Sequence, residues 1–215
     1  MTMDRLETLR DEIFAALARG DETGARKGIK RLRRREPIEA AGLLTALHIE
    51  AGRVREALAA WRECAKCAPR DPYTIFLRAR IHLLAGERSA ALDLLTPLLN
   101  AEMSPVIAEK VYNLAGQCAR FLGRAADAVR FYERARDAAP DLALRALNAS
   151  NVLFNRHYLP STCAEDKRAA EEYGALFSDV RPFDHGAHRR GKRLRIGYLS
   201  PDVREHVVLS FSYAL

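Results

Sequence analysis

The sequence predicts an all-α protein in which antiparallel helix pairs stack into a solenoid. One pattern, Gly, then Ala, then a large apolar residue, recurs in four segments whose glycines lie 32, 34 and 37 residues apart. Ala, Leu and Arg dominate the composition while aromatic residues make up only 7%, which is typical of packed helices. Because one helical hairpin cannot bury its own apolar face, a repeated hairpin has to stack on its neighbours.

The second copy of the pattern shows what each position does. Its residues are Gly52, Ala57, Trp61, Cys64 and Pro69. The glycine ends the preceding amphipathic helix, since it adopts the left-handed conformation at low cost. The alanine lets two helix backbones approach, the large residue fills the space between hairpins, and the proline stops the second helix because it lacks an N–H.

The other three copies keep the same order of residues. Their positions are Gly20, Ala25, Ile29, Leu32 and Pro37 in the first copy; Gly86, Ala91, Leu95 and Leu98 in the third; Gly123, Ala128, Tyr132, Ala135 and Pro140 in the fourth. The third copy has Met103 where proline is expected, and the first has Ile13 where a small residue is usual. The pattern resembles the tetratricopeptide repeat, whose unit has about 34 residues. The resemblance implies about four repeats in residues 1–142, forming a right-handed superhelix with a groove for a peptide or partner helix.

The pattern changes after Pro140. Residues 143–180 begin as another repeat, but the turn is lengthened to "RHYLPSTCAED" before a charged helix from about Ala164 to Phe177. Residues 181–193 have Pro, Gly, His and basic charge without a period, which indicates a linker. "LRIGYLS" follows at 194–200, and a short apolar run of this kind is typical of a buried strand in a parallel sheet.

The end of the chain resembles the join between repeats and catalytic domain in the O-linked N-acetylglucosamine transferases, including bacterial and Spindly-type members. The features that match, in order, are "SNVLFNRHYLP", a helix ending "EEYGALF", a polar linker and "LRIGYLSPDVREH". Val203 stands where the family usually has Phe. The resemblance implies that residues 194–215 are the first strand and loop of an incomplete Rossmann-like (GT-B type) α/β lobe. It also implies a nucleotide-sugar donor, held mainly by a second lobe, and Ser/Thr hydroxyls as acceptors.

His206 is the one candidate catalytic residue. It follows the carboxyl end of the predicted strand, where ligands bind in open α/β sheets. An imidazole there could orient or deprotonate an acceptor hydroxyl, or contact a sugar phosphate. From its spacing alone, His206 also fits a loop histidine with no chemical duty, and Asp202 fits a cap on the following turn.

Two function classes remain open. One is the N-terminal part of a protein O-glycosyltransferase whose repeats recruit the acceptor protein; the sugar implied is N-acetylglucosamine. The other is a stand-alone repeat scaffold without catalysis. Two complete lobes need on the order of 300 further residues. We therefore expect no sugar transfer from these 215 residues alone, no cofactor held by them, and a nucleotide-sugar partner only in a longer chain.

Some members of the resembled family line the groove with one asparagine per repeat. Here Leu43, Leu77 and Leu114 stand at the corresponding places and only Asn148 agrees. We therefore expect a different peptide preference, or weak peptide binding.

Charge, hydropathy and cysteine content indicate which partners and which compartment to expect. The net charge of +7, from 35 basic and 28 acidic residues, permits nucleic-acid binding without requiring it. The densest basic cluster, residues 26–35, has no stacking aromatic residue, so we expect a solvated face and no nucleic-acid partner. No apolar run approaches the roughly 18 residues of a membrane helix, and the N-terminus lacks a secretory signal. Four cysteines without a dense framework predict reduced thiols in the cytoplasm.

No metal ligand is assigned. Cys64 and Cys67 form a lone CxxC without a second pair, which is weak evidence for zinc, and Cys64 falls on a core position of its repeat. His185 and His188 lie in the linker without companion ligands. His48 and His82 fall on first helices of successive repeats, where they either face the groove or are ordinary surface or partly buried residues.

Overall fold

The computed structural model describes residues 3–181, with side chains from residue 5 onward. Residues up to Ser178 form one compact unit. Over the described range the chain forms ten α-helices: α1 (Met3–Ala18), α2 (Glu22–Leu32), α3 (Pro37–Glu50), α4 (Val54–Cys67), α5 (Pro72–Leu84), α6 (Arg88–Leu95), α7 (Pro105–Phe121), α8 (Ala125–Ala138), α9 (Leu142–Arg156) and α10 (Cys163–Ala175). Successive helices pair as five hairpins, and each hairpin packs on the next. The predicted all-α solenoid is confirmed for this range.

The four repeat glycines end the first helices of their hairpins as predicted. Their φ angles are 70° at Gly20, 71° at Gly52, 83° at Gly86 and 73° at Gly123. In every case the residue after the glycine donates its N–H to the carbonyl five residues earlier at 2.9 Å, for example Arg53 to His48. This is the Schellman arrangement, which satisfies carbonyls that the helix end leaves open.

The small and large positions of the repeat form the core. Alanine is fully buried in all four copies, at positions 25, 57, 91 and 128. The large residues Ile29, Leu95 and Tyr132 are also buried. Trp61 is half-buried, and its indole Nε1 donates to the carbonyl of Thr74 at 2.8 Å, which joins α4 to α5. The predicted register of the repeat is therefore confirmed.

The first hairpin accommodates Ile13 through a glycine on the facing helix. Ile13 is buried, and a Cβ added to Gly28 would lie 2.5 Å from its Cγ1. The large side chain and the missing one are complementary, so α1 and α2 still pack closely. Pro37 opens α3 in this copy, whereas the sequence pattern assigned it to the end of the preceding helix, which already stops at Leu32.

The third copy departs from the pattern for a local reason. Pro97 lacks the N–H that would continue α6, so the α-helix ends at Leu95 and the chain tightens into a short 3₁₀ helix, Thr96–Asn100. Leu98 still points inward and is buried. The repeat keeps its core residue although its second helix is shortened.

The fifth hairpin has the predicted long turn between α9 and α10. The Thr162 hydroxyl accepts from the Glu165 N–H, and the Glu165 carboxylate accepts from the Thr162 N–H, so a capping box starts α10 at Cys163. No side chain of α10 is fully buried. The predicted strand at 194–200, the α/β lobe at 194–215 and nearly all of the linker at 181–193 lie outside the described residues. No helix among residues 3–181 has the length and apolarity needed to cross a membrane.

Candidate functional site

A groove runs across the first helices of the third, fourth and fifth hairpins. It encloses about 410 Å³ between α5, α7 and α9. Its lining consists of Ile49, Phe76, Arg80, Leu83, Leu84, Glu109, Lys110, Asn113, Leu114, Gln117, Leu144 and Leu147. The helical period places one polar face of α7, with Lys110, Asn113 and Gln117, along the floor.

A directed chain of amide hydrogen bonds crosses this floor. Gln117 Nε2 donates to Asn113 Oδ1 at 2.6 Å, and Asn113 Nδ2 donates to Asn148 Oδ1 at 2.6 Å. Asn148 Nδ2 donates to Glu109 Oε1 at 2.8 Å and to the Leu144 carbonyl at 2.9 Å. These bonds hold α9 against α7 and fix the orientation of each amide.

The predicted asparagine position is structural. Asn148 is fully buried and its amide is used within the protein, while Leu43, Leu77 and Leu114 at the corresponding places are buried as well. Asn113 and Gln117, which line the groove half-buried, were not singled out from the sequence. Their spacing of four residues on one helix was the signal that could have identified them.

The walls of the groove are apolar. Leu84, near the carboxyl end of α5, is 37% exposed, and Leu147 on α9 is 52% exposed. Leu83 and Leu144 lie beside them and are half-buried. Among the described residues these leucines are not covered by another element, so the groove presents apolar surface next to hydrogen-bonding groups.

Aromatic side chains extend the apolar surface beyond the groove. Phe121 lies one helical turn after Gln117 on α7, and Phe154 lies two turns after Leu147 on α9. Together with Tyr158 they line a second cavity of about 470 Å³. The rings of Phe154 and Tyr158 meet edge-on with centroids 5.7 Å apart. This cluster was not predicted from the sequence. The spacing of seven residues places Leu147 and Phe154 on one face of α9, and Tyr158 follows shortly after that helix ends at Arg156.

The two histidines on first helices do not line this groove. His48 is buried, and its Nδ1 lies 3.2 Å from Nε of Arg53. Burial, followed by the positive charges of Arg26 and Arg53, lowers the pKa of His48. Nδ1 of half-buried His82 lies 2.5 Å from a carboxylate oxygen of Glu87, in the turn after α5.

The cysteines divide between the core and the surface. Cys64 is buried, with its Sγ 3.6 Å from the Ile38 carbonyl, and burial raises the pKa of its thiol. Burial also raises the pKa of Cys118 to about 11. Cys67 and Cys163 are exposed, and all four cysteines are free. The prediction that Cys64 is a core residue is confirmed.

The basic cluster covers the outer face of α2 and the turn that follows it. Ile29 and Leu32 point inward as predicted. Arg26 pairs with Glu22 at 2.8 Å and Arg31 with Glu12 at 3.0 Å. The remaining cations of the cluster are exposed and lack an ion pair within residues 5–181; they are Lys27, Lys30, Arg33, Arg34 and Arg35. His206, the predicted catalytic residue, lies outside the described residues.

Comparisons with known proteins support the fold. No protein-family model matches the chain, and no curated protein matches it. PilF of Pseudomonas aeruginosa is similar in structure, with 12% identity, coverage of 84% of this chain and 78% of PilF, and a TM-score of 0.61. The ArsTM double mutant of MamA RS-1 has 17% identity over 83% of this chain and 99% of its own, with a TM-score of 0.55. MamA MSR-1 C2 has 17% identity over 82% and 99%, with a TM-score of 0.52. These are tetratricopeptide-repeat proteins, so the chain has the tetratricopeptide-repeat fold.

Proposed function

We propose that this chain is a tetratricopeptide-repeat scaffold that binds a segment of a partner protein in the groove between α5, α7 and α9. The observation that carries the proposal is the exposure of Leu84 and Leu147 on opposite walls of one groove. Covering these side chains removes apolar surface from water, which contributes roughly 25 cal/mol of favourable free energy per Å² of area buried. A partner segment in the groove provides that cover.

The floor of the groove is suited to a polypeptide. The bound segment must satisfy its backbone N–H and C=O groups when water is displaced. Within the described residues, Oε1 of Gln117 accepts no hydrogen bond, and the second N–H of the Asn113 amide has no partner. An amide acceptor and an amide donor on adjacent turns of α7 match the donor and acceptor of a peptide unit.

A peptide-display selection on the purified protein tests this proposal. We expect enriched peptides to bind the wild type and to lose about tenfold in affinity with Leu147→Ser, because the anchor on one wall is removed. Ile38→Ser is the matched control, since Ile38 is 44% exposed on α3 and does not line the groove. Enriched peptides that bind Leu147→Ser as tightly as the wild type, or a selection that enriches none, contradict the proposal.

A second candidate function rests on residues 193–208. The order of repeats, extended repeat, linker and "LRIGYLSPDVREH" supports a protein O-glycosyltransferase that recruits its acceptor through the groove. The domains are then 1–142, 143–180, 181–193 and 194–215, with the last region as the start of a GT-B lobe. In this proposal His206 orients or deprotonates the acceptor hydroxyl, and the nucleotide-sugar donor is held by a second lobe.

A transfer assay distinguishes the two functions. Radiolabelled sugar transfer to acceptor protein is measured for the 215 residues and for the product of the complete gene. The glycosyltransferase proposal predicts no transfer by the short chain and severe loss in His206→Ala of an active longer chain, because both lobes are needed to align donor and acceptor. A fully active His206→Ala variant removes the catalytic assignment. Four free cysteines fit the cytoplasmic location that we propose for either function.

A further inference from the structure

Basic side chains border the apolar surface of the groove and of its aromatic extension. Arg80 and Lys110 line the groove, and Arg120 lines the second cavity. Two guanidinium groups lie close to the ring of Phe121. That of Arg88 is 5.2 Å from the ring centre, and that of Arg120 is 4.4 Å from it. Four cations therefore surround one stripe of exposed leucine and aromatic side chains.

Most of this charge is uncompensated. Arg80 pairs with Glu50 at 2.5 Å. Within residues 5–181, Arg88, Lys110 and Arg120 form no ion pair with a carboxylate. The acidic side chain among the groove-lining residues is Glu109, which is nearly fully buried and already accepts from Asn148. Glu109 keeps its charge but is shielded from an incoming segment by its burial. The accessible unpaired charges along the groove and the aromatic cluster are therefore those of Lys110, Arg88 and Arg120, which are all positive.

The apolar and basic groups are interleaved along the same path. From Lys110 through Gln117 to Phe121, the exposed face of α7 changes from cationic to amide to aromatic over three helical turns. Lys110 is half-buried, so its interaction with a carboxylate is less weakened by water than that of a fully exposed lysine. The cations at residues 26–35 differ. Arg33 lines an apolar cavity of about 340 Å³, but Glu56 and Glu63 line it too and offset its charge, and Lys27 does not line that cavity.

We infer that the segment bound in this groove is acidic and amphipathic, with apolar or aromatic side chains on one side flanked by Asp and Glu. The inference rests on the proposed scaffold function and specifies its partner chemistry. Apolar side chains cover Leu84, Leu147 and the aromatic cluster, while the carboxylates pair with Lys110, Arg88 and Arg120. Electrostatic complementarity of this kind selects partners and accelerates association.

A matched pair of peptides tests the charge. Both carry leucine at the same positions, and the remaining positions are Glu in one peptide and Lys in the other. Fluorescence polarisation measures their binding at about 50 mM and about 300 mM salt. We expect the Glu peptide to bind at least about tenfold more tightly at low salt, and the difference to shrink at high salt because the ions screen it.

Charge-reversal variants locate the effect. Lys110→Glu and Arg88→Glu should each weaken the Glu peptide by about tenfold, because an attraction becomes a repulsion. Arg88→Glu is compatible with folding, since a carboxylate in the first turn of α6 interacts favourably with the helix dipole. Lys27→Glu on α2 changes the net charge equally and should leave binding nearly unchanged. Thermal unfolding monitored by circular dichroism verifies that each variant is folded.

The outcomes separate this inference from the proposed function. If both peptides bind equally and Leu147→Ser weakens both, the scaffold function stands and the charge preference is overturned. Equal losses from Lys27→Glu and Lys110→Glu also overturn it, because the effect is then one of net charge. If neither peptide binds, both proposals fail.

Two further results identify another occupant. If a single-stranded RNA binds more tightly than the Glu peptide, and Lys110→Glu abolishes that binding, the groove is assigned to nucleic acid. Conversion of a dimer to a monomer by Leu147→Ser assigns the groove to a second copy. Either result overturns the inference.

Discussion

The first helices of neighbouring hairpins are joined by different chemistry at the two ends of the described chain. Between α1 and α3, Arg10 donates two hydrogen bonds to Glu39, at 2.8 and 2.7 Å, and both side chains are about one-third exposed. Between α7 and α9 the contact is the buried Asn148, which joins Asn113 to Glu109. The repeat core is common to the first four hairpins, whereas the polar contacts between first helices differ along the chain. We expect these contacts to differ in their contribution to stability and in their relation to the groove.

The burial of the contact determines what its loss costs. When an ion pair near the surface is broken, water hydrates both charged groups. When a buried amide is removed, water cannot reach the groups that it bonded, and they are left without a hydrogen-bonding partner. The buried contact also lies directly under the candidate groove, where it orients Asn113 and Gln117. We therefore expect the carboxyl-terminal hairpins to be sensitive to polar substitutions that the amino-terminal hairpins tolerate.

Asn148→Leu is expected to have the largest effect. It leaves the buried Glu109 without a donor and the half-buried Asn113 without an acceptor, which costs about 2–4 kcal/mol of unfolding free energy. Chemical denaturation followed by circular dichroism measures it. An unfolding midpoint equal to that of the wild type would show that α7 and α9 are held together by other contacts.

Overpacking the repeat alanine tests whether the two ends share one core. Ala25 and Ala128 stand at the same repeat position and are both fully buried. Ala25→Leu and Ala128→Leu should each cost about 1–3 kcal/mol, because neither site has room for a larger side chain. The thermal midpoints of the two variants should fall similarly. An unchanged midpoint for Ala128→Leu contradicts the assigned register.

Glu39→Gln should have a small effect on stability. The carboxylate of Glu39 is replaced by an amide that still accepts one hydrogen bond from Arg10, and the site is open to water. We expect a thermal midpoint close to that of the wild type, with a difference that diminishes further as salt is added. A loss as large as that of Asn148→Leu would remove the contrast between the two ends.

The smallest expected effect is the pH dependence contributed by His48. Its folded-state pKa is lowered, mainly by burial, so the unfolded chain binds a proton more readily than the folded one. Stability should therefore be unaffected above the ordinary histidine pKa and should decrease as pH falls below it. His48→Gln should reduce this acid-side decrease in unfolding curves recorded between about pH 5 and pH 8. An unchanged slope in the variant argues against a contribution from His48.

Much of the fold could be predicted because the repeat residues act locally. The roles of the repeat residues depend only on helix geometry and on the adjacent helix. These residues are the glycine with positive φ, the buried alanine and the large residue one turn later. The same reasoning placed Ile29, Leu32 and Cys64 in the core. Two features were not predicted. Gly28 makes room for Ile13 because the two residues face each other on different helices, and Pro97 shortens α6 because it lacks a backbone N–H.

The site was harder to predict than the fold. The sequence pointed to the first helices as the binding surface, and the groove lies on them. Asn148 was judged by its place in a familiar pattern, but its amide is consumed by Asn113, Glu109 and Leu144 across two helices. The exposed leucines and aromatic side chains of α5, α7 and α9 form one surface only when three hairpins are stacked, and no single segment shows that.

A methyl NMR titration of the labelled protein with the Glu peptide shows directly where the peptide binds. Binding in the groove should change the chemical shifts of the methyl groups of Leu84, Leu144 and Leu147, which line it. The methyl groups of Leu32 and Leu9, in the core of the first hairpin, should not shift. Changes concentrated on the first hairpin, with the three groove leucines unaffected, would contradict the claim that this groove is the binding site.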